Sequence, residues 1–79
     1  MENIIDKMKD NRFKMILKEN SVYLTNYKRI IILEEDLVKI KANNKIIEIK
    51  GNNIKAKRIL YKELLLVGNI TKIEVIDEF

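Results

Sequence analysis

Apolar and charged residues alternate along residues 37–57, LVKIKANNKIIEIKGNNIKAK, with interruptions at Asn43-Asn44 and at Gly51-Asn52. Strict two-residue alternation is typical of a strand with one buried face. Each interruption consists of two turn-forming residues. The pattern therefore predicts three antiparallel strands joined by two tight turns.

The length of each turn sets the pairing of these strands. The first turn places Lys39 opposite Glu48, which is a favourable cross-strand pair. The second turn would place Lys55 opposite Glu48 as well. The six side chains that this register buries together on the other face are Val38, Ile40, Ile47, Ile49, Ile54 and Ala56.

Shorter apolar stretches predict the other strands. The run RIIIL at residues 29–33 is unbroken and β-branched, which favours a central strand covered on both faces. Glu34-Glu35-Asp36 follows it as an acidic turn. The remaining predicted strands span residues 13–17, 22–25, 64–67 and 70–76, with Gly68-Asn69 interrupting the last two.

We therefore expect an all-β fold, a small antiparallel meander of seven or eight short strands that forms a sandwich, roll or open barrel. Residues 13–79 would make up a single β domain. Residues 1–12 would form an N-terminal arm or a short helix, because Ile4, Ile5 and Met8 have helical spacing but a helix this short is marginal without packing.

An internal echo relates residues 47–59, IEIKGNNIKAKRI, to residues 64–76, LLLVGNITKIEVI. Both segments place Gly-Asn after an apolar strand and continue with Ile, at a shift of 17 residues. A duplication would explain the echo, and so would two independent turns. The glycines could also mark bulges instead of reversals.

Composition removes several classes of chemistry. The chain has no Cys and no His, so the usual ligands of zinc, haem and iron–sulfur clusters are missing. Ser21 is the only serine, and no histidine is present to activate it. We expect no enzymatic activity and no cofactor. No apolar run approaches the roughly 20 residues of a membrane-spanning helix, so no transmembrane segment is expected.

The formal net charge of +4 is unevenly distributed, since residues 37–62 hold eight basic side chains and one acidic one. In the predicted register five lysines point away from the core and form a candidate face for an anionic partner such as nucleic acid or lipid headgroups. A solvated strand face that resists aggregation explains the same lysines. The five are Lys39, Lys41, Lys50, Lys55 and Lys57.

Two local motifs suggest more specific sites. The segment IKGNNI, residues 49–54, is similar to the second motif of Sm-like RNA-binding proteins, although residues 28–44 contain no Gly and so lack the first Sm motif. A simple hairpin turn fits the same residues. Glu34-Glu35-Asp36 offers three carboxylates, but adjacent acids in an extended chain do not converge on one ion. A solvated turn fits them better.

Taken in order, the motifs resemble those of the YabP/YqfC family of sporulation proteins, and the YqfC branch more than the YabP branch. The resemblance covers about four-fifths of the chain. The chain departs from the family pattern at Asn43-Asn44, where members commonly carry a Gly-containing turn. The matching segments are NYKRI (26–30), the acidic turn (34–36), VKI (38–40), IEIKGNNI (47–54), VGNI (67–70) and IEVI (73–76).

This resemblance implies a non-enzymatic assembly or scaffolding role in endospore formation, in the cytoplasm of the mother cell and near a membrane. It also implies a protein partner, such as a sporulation membrane protein. The alternative is a nucleic-acid-binding module, Sm-like or another small β domain, that uses the basic face of residues 37–62.

The predicted sheet does not close, so its edges carry unpaired backbone groups. The expected edges are residues 13–17 and residues 70–76, and neither contains Pro. An unprotected edge favours self-association as a homo-oligomer, most simply a two-fold dimer, or capture of a strand from a partner.

Overall fold

The computed structural model describes residues 12–77, and this part of the chain contains strands and no helix. The strands form one antiparallel sheet in the order β1-β2-β6-β5-β4-β3. The predicted all-β antiparallel fold is confirmed, with six strands in place of seven or eight. The predicted N-terminal arm or helix lies outside the described residues, apart from Arg12. The strands are β1 (Lys14–Lys18), β2 (Ser21–Thr25), β3 (Arg29–Leu33), β4 (Leu37–Lys41), β5 (Lys45–Leu60) and β6 (Glu63–Asp77).

The first predicted turn is confirmed. Asn43-Asn44 joins β4 to β5, and the N–H of Ala42 donates to the carbonyl of Lys45 at 2.8 Å. This turn sets the predicted register, in which Lys39 lies opposite Glu48. Their side chains form an ion pair at 3.1 Å.

The second predicted turn is wrong. β5 continues through Gly51-Asn52 and β6 continues through Gly68-Asn69, so each is one long strand with a bulge and not two short ones. Lys55 consequently lies opposite Val67 and far along the strand from Glu48. Ile49 pairs with Val38 and Ile73, and not with Ile54.

Glycine is required where β5 and β6 pass one another at these bulges. A Cβ on Gly51 would lie 2.0 Å from the carbonyl oxygen of Asn69, and one on Gly68 would lie 2.6 Å from that of Asn53. Gly68 also has a φ of +144°, a backbone conformation that residues with a side chain rarely adopt. The close approach lets the two strands stay paired while both change direction.

The bulges divide the sheet into two layers that share the β5–β6 hairpin. Before its bulge β5 pairs with β4, whereas β6 before its own bulge pairs with β2. We call the two parts the β1 layer and the β3 layer. The β1 layer consists of β1, β2 and residues 63–67 and 55–60; the β3 layer consists of β3, β4 and residues 45–50 and 72–77.

The core lies between these layers. Buried side chains from both layers form one apolar cluster, and no buried side chain among residues 12–77 is polar or charged. Residues 12–77 contain no helix to cover the sheet, and side chains of both layers belong to one buried cluster, so the sheet folds over on itself as in a sandwich. The cluster consists of Val22, Leu24, Tyr27, Val38, Ile40, Ile47, Ile49, Ile54, Leu64 and Leu66, with Ala56 half-buried against it.

β3 is an edge strand, so its prediction as a central strand is wrong. It pairs only with β4, and Ile31 and Leu33 are exposed. The run is apolar throughout for a different reason. The pairing of β3 with β4 shifts register between Ile30 and Ile32, so the usual alternation of inward and outward residues is interrupted there. An irregular edge strand with apolar residues on both faces gives the same sequence pattern as a central strand.

The sheet has an approximate internal two-fold symmetry. Read from either edge, a hairpin is followed by one long strand: β1–β2 then β6, or β3–β4 then β5. Val22 pairs with Leu66 in one layer, as Val38 pairs with Ile49 in the other. A shift of 16 residues thus relates β2 to β4, and a shift of 17 relates β5 to β6.

Main-chain hydrogen bonds repeat this symmetry. The N–H of Gly68 donates to the carbonyl of Asn20 at 3.0 Å, and the N–H of Gly51 donates to that of Asp36 at 3.3 Å. The N–H of each glycine therefore donates to the hairpin turn of its own layer. The 17-residue echo in the sequence is a structural repeat.

Truncation of a side chain in the core should be far more costly than truncation on the outer face of the same strand. We expect Ile49→Ala to lower the free energy of unfolding by about 2–5 kcal/mol, because Ile49 is fully buried. Ile46→Ala, at a half-buried outward position, should cost much less. Denaturant melts of both variants measure the difference. Equal losses would contradict a strand with one buried face.

Replacement of Gly51 should test the close approach of β5 and β6. Gly51→Ala should destabilise the fold by about 1–3 kcal/mol or more, because the new methyl group meets backbone that cannot move aside. Asn52→Ala, at the exposed neighbouring position, is the matched control and should change stability by about 0.5 kcal/mol or less. A stable Gly51→Ala variant in thermal and denaturant melts would show that the bulge tolerates a side chain.

Candidate interaction surfaces

Three of the five predicted face lysines lie on the outer side of the β3 layer. Lys39 and Lys41 belong to β4, and Lys50 lies opposite Lys72 across the sheet. The centre of this face is the ion pair between Lys39 and Glu48, at 3.1 Å. It is a mixed-charge face of the kind that water solvates well.

The other two lysines lie beyond the bulge, in the β1 layer. Lys55 projects from its outer side opposite Val67, and Lys57 lies at an irregularity in the pairing of β5 with β6. The five lysines therefore do not share one face. The prediction placed them together because it assumed a chain reversal at Gly51-Asn52.

The Sm-like segment does not form a projecting turn. Its central residues lie within the β5–β6 pairing, where Asn52 is opposite Asn69. The N–H groups of Gly51 and Ile54 donate to the carbonyls of Asp36 and Glu35, at 3.3 and 2.8 Å. The segment is thus closed off by its neighbours and does not present a loop to RNA.

The acidic turn Glu34-Glu35-Asp36 is exposed, and its main chain is firmly held. In addition to the two bonds from β5, the N–H of Glu34 donates to the carbonyl of Leu37 at 2.9 Å. No ion pair joins its three carboxylates to another residue within the described range. The turn presents three negative charges on a rigid frame.

The outer side of the β1 layer is a surface that sequence reasoning missed. Ile16, Tyr23, Leu65 and Arg58 lie in one row across the four strands. With Lys18 and Ser21 they line a shallow depression of about 230 Å³. Tyr23 and Leu65 alternate with buried residues, but only the β2–β6 register shows that they are neighbours.

Tyr23 is coupled to a carboxylate on this face. Partial burial raises the pKa of Tyr23 above its ordinary value of 10.0, and a hydrogen bond to Glu63 raises it further, while Arg58 opposes the shift. The phenol therefore favours its protonated form beside the Glu63 carboxylate.

Each layer ends in strands that lack a neighbour on one side. β1 and β3 are the edges of the sheet. Residues 69–77 of β6 pair only with β5, and residues 55–60 of β5 pair only with β6, so each segment has one free side. The predicted edges at residues 13–17 and 70–76 are therefore present. Inward-facing apolar side chains remain exposed at all four: Leu17 57%, Leu33 42%, Ile59 53% and Val75 53%.

A cleft runs along the unpaired side of β6. It has a volume of about 270 Å³ and lies between the β1–β2 turn and residues 70–73. Its floor includes the buried side chain of Val22, and Ile70 and Ile73 form one wall. Apolar side chains of a bound segment would fit there beside the free strand edge.

Other site types find no support in the described residues. Residues 12–77 contain no group of three acidic side chains arranged to hold a metal ion. No helix in this range could cross a membrane. No protein-family model matches the chain, and no curated protein or solved structure gives a significant match.

The coupling of Tyr23 to Glu63 gives a measurable pH dependence. A tyrosine pKa raised in the folded state adds stability below about pH 10 that is lost as the pH rises through the folded-state pKa. Glu63→Gln should lower the pKa of Tyr23 and reduce that loss. Tyrosinate absorbance during a pH titration, assigned with Tyr23→Phe, measures the pKa. An unchanged Tyr23 pKa in Glu63→Gln would contradict the hydrogen bond.

Proposed function

We propose that this chain is a non-enzymatic assembly module of endospore formation, of the YabP/YqfC type, that acts by binding other proteins. The ordered motifs across four-fifths of the chain support the family assignment. The partner that we propose is a sporulation membrane protein, and the proposed site of action is the mother-cell cytoplasm beside that membrane. The open strand edges of the fold support protein binding as the mode of action.

The open strand edges carry the proposal. An unpaired strand offers a row of N–H and C=O groups that another extended segment can complete. Natural edges are usually protected by Pro, bulges or inward-pointing charges. Here the inward rim positions at the edges are apolar, including Leu17 and Val75, so the edges are suited to binding.

The free side of β6 is the edge that we favour. Its two outward charges, Lys72 and Glu74, pair with each other at 3.8 Å and so leave little net repulsion. The cleft beside Ile70 and Ile73 would receive alternate side chains of an added strand. A second copy of this chain or a segment of the membrane partner would add at this edge by the same main-chain hydrogen bonds.

Nucleic-acid binding is less well supported by this geometry. The basic residues are divided between the outer sides of two layers, and Lys39 is neutralised by Glu48. Base stacking would require aromatic rings beside the lysines. Tyr23 is the only aromatic residue on the four strands of the β1-layer outer face, so it offers one stacking position beside Lys55 and Arg58, and Lys39 and Lys50 lie on the other layer. Binding of this class would fall steeply with salt, whereas strand addition would not.

A charge at the rim of β6 should block association through this edge. We expect Val75→Lys to lower the oligomer fraction or the partner affinity about tenfold or more, because it places an ammonium group where an added strand would pack. Light scattering at several concentrations measures self-association. Ile76→Lys, on the opposite face of the same strand, is the matched control and should have a smaller effect.

The same pair of variants tests the cellular role. Affinity capture from sporulating cells should recover a membrane protein with the wild type and with Ile76→Lys, and should lose it with Val75→Lys. Normal spore yield in a deletion strain, together with no edge-dependent partner and a monomeric wild type at high micromolar concentration, would refute the proposal.

A further inference from the structure

The internal symmetry allows the two halves of the molecule to be compared position by position. Positions needed for the fold agree: Val22 corresponds to Val38, and Leu66 to Ile49. Differences on the surface are not required by packing, so they indicate what each half does. Two such differences are large, and they are complementary.

The first difference lies at the centre of the outer faces. In the β3 layer the paired residues are Lys39 and Glu48, which form an ion pair. The equivalent pair in the β1 layer is Tyr23 and Leu65, both half-buried. One face is thus polar and self-neutralised, and the other has an apolar centre.

Basic side chains surround this apolar centre. Lys18 and Lys55 are the two ends of the neighbouring row across the four strands. Arg58 ends the row that contains Tyr23 and Leu65. None of the three has an ion-pair partner within residues 12–77. The only carboxylate on the four strand segments of this face is Glu63, which lies opposite Thr25. The outer face of the β1 layer is suited to an acidic segment with apolar neighbours.

The second difference lies in the hairpin turns. The β1–β2 turn, Lys18-Glu19-Asn20, has no net charge, whereas its equivalent, Glu34-Glu35-Asp36, carries three negative charges. The acidic turn follows the exposed side chains of Ile31 and Leu33. This is an acidic segment with apolar neighbours. Hydrogen bonds from β5 to its carbonyls hold it in place before it contacts another molecule.

We propose that copies of this chain bind head to tail, with the acidic turn of one copy on the outer face of the β1 layer of the next. The main chain of the turn is bonded to β5 beside Lys55, but within residues 12–77 no ion pair joins its carboxylates to the face of its own copy, so they are available to a second copy. Such a contact joins two different surfaces and therefore forms an open chain or a ring, and not a closed two-fold dimer. This inference deepens the proposed assembly role and rests on it, and its face shares only Lys18 with the cleft beside the β6 edge.

Two double variants separate the two halves of the contact. Lys55→Gln with Arg58→Gln removes charge from the face at residues that do not line the cleft beside β6, and Glu34→Gln with Glu35→Gln removes charge from the turn. All four side chains are exposed, so folding should be preserved and is checked by thermal melts. Arg29→Gln with Lys50→Gln removes equal charge from the outer side of the β3 layer, away from the β6 edge, and is the matched control.

Sedimentation equilibrium at low salt and up to millimolar concentration gives the decisive measurement. The average mass of the wild type and of the control should rise with concentration beyond that of a dimer. Each test variant alone should lose about tenfold in association constant, as expected for two exposed charge pairs. An equimolar mixture of the two should stop at a dimer, since only one intact face meets an intact turn.

The failures of the two proposals can be told apart. A wild type whose mass levels off at a dimer, or test variants that associate like the control, would overturn the head-to-tail contact. Loss of association in Val75→Lys alone would support the contact through the β6 edge and contradict the head-to-tail contact. A head-to-tail chain that persists in Val75→Lys and weakens with added salt would support this inference independently of the strand edge.

Discussion

The contact between the backbones of β5 and β6 at Gly51 and Gly68 determines the rest of the structure. Because neither residue has a side chain, the strands approach closely enough to stay hydrogen-bonded while both bend. The bend gives each strand two different neighbours along its length. It therefore turns one six-stranded sheet into two layers, and the space between them becomes the core.

The sequence predicts local pairing well and distant pairing poorly. The hairpin at Asn43-Asn44 is correct because alternation on both sides and a two-residue turn determine it together. The Gly51-Asn52 signal is locally the same, yet there the chain continues. Whether Gly51 reverses the strand or bends it depends on the backbone of Asn69 and Ile70, which approaches it from β6. No local pattern contains that information.

The candidate surfaces depend on the same distant pairing. The ion pair of Lys39 with Glu48 was accessible to sequence reasoning because one short hairpin makes it. The row that contains Tyr23 and Leu65 was not, since those residues lie more than forty positions apart and meet only when β2 joins β6. Alternation shows that each side chain points outward, but only the register shows which outward side chains form one surface.

The order of the strands has a consequence for how the chain reaches this structure. β3, β4, β5 and β6 pair in sequence, so they can assemble by short loop closures. The β1–β2 hairpin is made first by the ribosome, but its neighbour is residues 63–67 of β6. It must therefore wait for most of the chain, and non-local pairing of this kind is slow. Until the hairpin joins β6, Leu64 and Leu66 lack their partners Leu24 and Val22. We therefore expect the two halves, which are equivalent in the finished sheet, to form at different times.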